Sequence, residues 1–97
     1  MTVARHYTLS AKPELADSMQ GELDRLGDIV RALPGCLGFE MLRDIEDPTR
    51  FVFIEKWQSV EAHKAGGKQI PREAFAKLMD ALAAPLAGSY LEYLKTV

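Results

Sequence analysis

The sequence predicts one α+β domain over residues 1–97, with its elements in the order βαββαβ. Three observations predict it. A β-prone opening segment runs into a long helical repeat of apolar residues. Two aromatic-rich segments then flank a short acidic Asp-Pro turn, and a second, shorter helical stripe precedes a final β-prone segment.

Val3 to Leu9 forms the first expected strand, closed by Ser10-Ala11-Lys12-Pro13. A helix starts at about Pro13, because proline suits a first helical turn, where its missing N–H costs nothing. Leu15, Met19, Leu23, Leu26, Val30 and Leu33 recur at intervals of three and four, with charged residues between them. That is an amphipathic helix of about five turns. Gly21 and Gly27 each weaken it by roughly 1 kcal/mol relative to alanine, so packing of the apolar stripe must hold it. Pro34-Gly35 stops it. Cys36 to Ile45 and Phe51 to Trp57, joined through Asp47-Pro48, then read as a β-hairpin. Ser59 is placed to cap a short helix from Val60 to about Ala65, which Gly66-Gly67 should break. Pro71 opens a last helix with Phe75, Leu78, Met79 and Leu82 as its stripe, and Ser89 to Lys95 reads as the final strand. This order is the split βαβ, or ferredoxin-like, arrangement: a four-stranded antiparallel sheet with its helices on one face.

In the second hairpin arm Phe51, Phe53, Glu55 and Trp57 point one way and Val52, Ile54 and Lys56 the other, so both faces are largely apolar. The helices cover only one of them. Burial of the other against a second copy removes an aggregation liability with two-fold symmetry, and a homodimer is expected. Composition narrows the partners. With 47% hydrophobic and 27% charged residues and a net charge of −2, the chain has no basic block for nucleic acid. It has no apolar run near the roughly 20 residues that span a bilayer, and no apolar leader follows Met1. One cysteine, Cys36, permits neither an internal disulfide nor a cysteine-built metal cage, and it reads as a small buried apolar residue. The expectation is a cytoplasmic protein with no membrane or nucleic-acid partner.

Leu33-Pro34-Gly35-Cys36-Leu37-Gly38-Phe39-Glu40, Asp47-Pro48, and Phe51 to Trp57 followed by Ser59 and Ala62 resemble the antibiotic-biosynthesis-monooxygenase-like family. The resemblance is strong from Leu33 to Ala62 and extends to the flanking elements in order and length only. It implies a dimeric α+β barrel. It further implies an oxidoreductase: a monooxygenase acting with O2, and with neither metal nor other cofactor, on a small phenolic, quinol or polyketide-like substrate. Other members degrade haem or isomerise small molecules, so a haem- or small-molecule-binding dimer without catalysis and a non-oxidative isomerase are the alternative readings. Relatives commonly carry a histidine nine or ten residues after the tryptophan, where this chain has Gly66 and Gly67, and haem-degrading members carry an asparagine where Tyr7 stands.

Oxidation without a cofactor needs an apolar pocket, a base and a polar group for the developing anion. Trp57, Phe53 and Phe51 are the candidate pocket wall, although an aromatic row on a strand also reads as core. Tyr7 is placed to reach in from the neighbouring strand. His63, His6 and Glu55 are the candidate bases; His6 points opposite to Tyr7, so at most one of the two faces the cleft. Arg43 is the candidate anion partner, and both it and Glu55 also read as members of cross-strand ion pairs. His63, with polar neighbours, equally suits a surface position. Two histidines far apart offer no metal-ligand motif. Gly66-Gly67-Lys68 lacks the spacing of a phosphate loop and reads as a hinge over the cleft mouth.

Overall fold

A computed structural model describes residues 1–97. The strands are β1 (Val3–Ser10), β2 (Cys36–Arg43), β3 (Arg50–Trp57) and β4 (Ala87–Glu92); the helices are α1 (Ala16–Val30), α2 (Val60–Gly67) and α3 (Glu73–Ala81). The sheet is antiparallel throughout, in the order β2-β3-β1-β4. This is the expected α+β, ferredoxin-like βαββαβ fold.

Period-two alternation divides the sheet. On the helix side, Val3, Leu9, Phe51, Phe53 and Trp57 are buried and join Met19, Leu23, Leu26 and Val30 of α1 and Leu78 of α3 in one core. The registers align Tyr7 with Phe53, Arg5 with Glu55, and Val3 with Trp57 across β1 and β3. The opposite face carries His6, Thr8, Val52, Ile54 and Leu42, and no helix covers it.

Element ends differ from the expectation for local reasons. Pro13–Leu15 is a 3₁₀ turn, and α1 begins at Ala16. The hairpin arm ends at Arg43 instead of Ile45, because Asp44 Oδ1 accepts the Glu46 and Asp47 backbone N–H groups and turns the chain. The final strand begins at Ala87 and stops at Glu92, two to three residues earlier than Ser89–Lys95. Its partner β1 fixes both limits, pairing Thr8 with Ala87 and Val3 with Glu92. Gly66-Gly67 does not break α2, which runs through both glycines. A Cβ on Gly66 would lie 2.7 Å from Trp57 Cη2, so the glycine lets the helix settle on the indole. Gly27 serves α1 in the same way, since a Cβ there would fall 2.3 Å from the Phe39 ring.

Candidate functional site

Between the sheet and the three helices lies a cavity of about 230 Å³. Leu23, Leu26 and Val30 of α1, Phe75 and Leu78 of α3, and Ile70 before α3 form its apolar wall, with Phe53 and Trp57 as its floor. Its polar groups gather at one end: Tyr7 from β1, Glu55 from β3 and His63 from α2. No lysine or arginine lines it.

The Ser59 cap sets the phase of α2. Its side chain accepts the Ala62 backbone N–H at 3.0 Å, and His63 N–H donates to the Ser59 carbonyl. With the helix so started, His63, Gly66 and Gly67 share the face turned to the sheet, at spacings of three and four. The His63 side chain is 16% exposed. Its Nε2 lies 3.0 Å from Tyr7 Oη and its Nδ1 2.7 Å from Tyr90 Oη. Its Nε2 is also 3.7 Å from Glu55 Oε1, which accepts the Trp57 indole N–H at 2.9 Å. The Trp57 and His63 rings meet edge to face at 5.5 Å.

Burial pushes these groups toward their neutral forms. It lowers the His63 pKa from 6.5, with Arg5 and Lys64 adding like-charge repulsion. It raises Glu55 from 4.5, against the opposing pull of the Trp57 N–H and the Arg5 charge. It raises Tyr7 from 10.0, again partly offset by Arg5. A neutral imidazole between two phenol hydroxyls, beside a carboxyl that an indole holds in place, can bind a substrate hydroxyl and accept its proton.

Of the residues singled out from sequence, the fold brings together Tyr7, Glu55, His63, Trp57 and Phe53. Phe51 is buried in the core and does not line the cavity. Arg43 is directed away from it: the sheet register sets Arg43 opposite Phe51 at the far end, where its guanidinium donates to Asp17, Gln20 and the Pro48 carbonyl. The expected anion partner is therefore engaged elsewhere. His6 lies on the uncovered face, paired across the strands with Ile54 and Ser89. Cys36 is half-buried against the core, with its Sγ 3.7 Å from the Gly38 carbonyl.

Two further residues belong to the site. Arg5 lies across from Glu55 and Tyr90, its guanidinium 4.9 Å from the Tyr7 ring centroid and 4.3 Å from that of Tyr90. Gly88 makes room for it, since a Cβ there would stand 2.5 Å from an Arg5 terminal nitrogen. The signal for Arg5 was its period-two step from Tyr7; Tyr90 required the β4 register.

A profile of the family described as antibiotic biosynthesis monooxygenase matches residues 2–68. A solved structure from Nitrosomonas europaea bearing that family name superposes with a TM-score of 0.88 at 20% identity, over 96% of this chain and 90% of that one. SnoaB from Streptomyces nogalater, a cofactor-independent oxygenase solved as a mutant, gives 0.87 at 14% identity, over 99% and 96%. A Pseudomonas aeruginosa protein gives 0.83 at 26% identity, over 97% and 95%. No match was found among curated proteins. These likenesses show a shared fold. The profile, running from the first strand just past the end of α2, shows more: the chain belongs to the antibiotic biosynthesis monooxygenase family.

Proposed function

We propose that the protein is a monooxygenase that uses O2 without metal or flavin to oxidise a small, neutral phenol, quinol or polyketide-like compound. One observation carries the reading: an apolar cavity between sheet and helices whose polar groups, Tyr7, His63 and Glu55, all converge at one end. A ring system sits against leucine, valine and phenylalanine while its hydroxyl meets the polar end. The cavity lining offers no cation for a carboxylate or phosphate substituent, which favours a neutral substrate and disfavours haem with its two propionates.

Tyr7 accepts the substrate hydroxyl proton in a hydrogen bond, and His63, neutral at physiological pH, is the base behind it. The phenolate passes an electron to O2, and recombination at the ring carbon para to the oxygen forms a C–O bond. Protonation of the resulting peroxide and loss of water leave a quinone, so the phenol plus O2 becomes the quinone plus H2O. Trp57 and Phe53 hold the ring, and Glu55 orients Trp57 and the imidazole. The test is oxygen uptake with 1-naphthol, in which the carbon para to the hydroxyl carries hydrogen. Stoichiometric uptake with quinone formation, lost in His63→Ala, is expected. A cavity that binds naphthol with no uptake above the uncatalysed rate overturns the oxidative reading in favour of a binding protein or isomerase.

The working unit in this proposal is a homodimer closed over the uncovered sheet face, where Leu42 and Leu91 are 51% and 48% exposed.

A further inference from the structure

A proton removed from a phenol at the polar end of this mostly apolar cavity has to reach solvent. His63 engages both ring nitrogens, with Tyr7 Oη at 3.0 Å from Nε2 and Tyr90 Oη at 2.7 Å from Nδ1. The two tyrosines stand on opposite sides of the boundary. Tyr7 lines the cavity; Tyr90, on the edge strand β4, does not line it and is 36% exposed. A neutral imidazole has one N–H, so in this chain of three one tyrosine donates to His63 and the other accepts from it. The chain therefore has a direction, and moving one proton through it reverses that direction.

We infer that Tyr7, His63 and Tyr90 form a proton relay that connects the cavity to solvent, with Tyr90 as its outer end and Arg5 as the positioning residue beneath it. The inference takes its substrate from the oxygenase reading. In the outward step the substrate O–H proton passes to Tyr7 Oη as the Tyr7 proton passes to His63 Nε2. The Nδ1 proton passes to Tyr90 Oη, whose own proton goes to water or a buffer base. One proton leaves, the substrate is a phenolate, and His63 is left as its other neutral tautomer. Return of one proton to the peroxide oxygen through the same atoms restores the starting tautomer, so one turnover resets the relay.

Arg5 fits a role in holding this array. Its guanidinium is shared between the Tyr7 and Tyr90 rings, forms no salt bridge, and keeps Nε buried without a hydrogen-bond partner. Burial already makes an imidazolium unfavourable and a cation fixed there adds to it, so His63 transmits a proton without storing it.

The test separates the relay from the oxidation. Under anaerobic stopped-flow mixing with 1-naphthol, naphtholate absorbance reports the outward step alone. Tyr90→Phe keeps the ring on Arg5 and removes Oη; naphtholate formation should slow about tenfold or more and recover when imidazole is added to the buffer. Tyr93→Phe, whose ring lies over Lys56 away from the relay, should match the wild type. An unchanged rate in Tyr90→Phe, or a slowed rate that imidazole does not restore, overturns the relay. Naphtholate formation without oxygen uptake once air is admitted defeats the oxygenase reading and leaves the relay standing. For protein without ligand, ¹⁵N shifts of His63 provide a second readout. One neutral tautomer at pH 7 that changes in Tyr90→Phe is expected, along with a higher His63 pKa in Arg5→Met. Identical, averaged nitrogen shifts in wild type and Tyr90→Phe overturn the inference.

Discussion

Glu55 is the one buried charged residue, 4% exposed, and its position makes stability depend on pH. Its carboxyl is raised above 4.5 by burial, so between 4.5 and its folded pKa the native state holds a proton that the unfolded chain has lost. Stability then falls as pH rises through that window. Glu55→Gln keeps a carbonyl oxygen for the Trp57 N–H and removes the ionisation. The variant should melt higher than wild type at pH 7–8, and the two melting temperatures should converge below about pH 4.5. Scanning calorimetry across that range checks it; parallel curves would mean the carboxyl titrates alike in the folded and unfolded chain, and would overturn its raised pKa. His63 has the opposite sign. Tyr7 and Arg5 on β1, Glu55 on β3, Tyr90 on β4 and Lys64 on its own helix face it, and its pKa lies below 6.5. It costs stability only as pH falls below 6.5 toward that value, so the acid limb of substrate deprotonation should lie below pH 6.5. His63→Ala should reduce turnover by about 10²–10⁴-fold, measured as oxygen uptake at saturating naphthol. The sequence made Tyr7, Glu55 and Trp57 readable as candidates through residue type and strand parity, and His63 through residue type on the short helix that follows β3. It did not reveal Arg5 and Tyr90, which matter through strand pairing, nor the engagement of Arg43 by α1.

Along the elements, the glycines show why propensity alone misleads. Gly21 and Gly27 lie in the same helix and carry the same intrinsic penalty, yet a Cβ at Gly21 meets nothing within 4 Å while one at Gly27 strikes Phe39. The Phe39 ring is stacked on Phe53 at 5.4 Å, so it has little room to retreat. Gly21→Ala should stabilise the protein by about 0.5–1 kcal/mol. Gly27→Ala should destabilise it, because overpacking costs about 1–3 kcal/mol against a helix gain of about 1. Urea denaturation of the pair should give midpoints on opposite sides of wild type. The same contrast limited the sequence reading of α2. Gly66-Gly67 resembles a break when only local preference is weighed, but the indole beneath Gly66 supplies a tertiary reason for a glycine within the helix. Strand interiors were legible from alternation and aromatic content. Their ends were not, since Asp44 side-chain bonding ends β2 and the length of β1 bounds β4.

At the scale of the molecule, the cavity face is complete within one chain while the opposite face is not. Across the centre of that second face run Leu42, Val52 and Thr8 in one row and Glu40, Ile54 and His6 in the next. Apolar alternation made this two-sided sheet visible in the sequence, because β3 alternates Val52 and Ile54 with the inward-facing Phe51, Phe53 and Glu55. What covers the face lies beyond the information in one chain's helices, all of which pack on the other side. Ile54 sits on an inner strand, so a pairing of two such faces must desolvate it. Ile54→Asp introduces a charge there without touching the cavity, because its neighbours Phe53 and Glu55 point the other way. Sedimentation equilibrium of the wild type should return twice the 10.8 kDa chain mass, and Ile54→Asp should return the single mass with its helical signal retained. Burying an unpaired carboxylate at such an interface costs several kcal/mol, enough to shift a micromolar dimer to monomer at the same concentration. If the wild type itself sediments at 10.8 kDa, the apolar face is not a self-interface and the proposed dimer falls. If Ile54→Asp remains a dimer, the two chains meet elsewhere, as through an edge strand, β2 or β4, instead of through the sheet face.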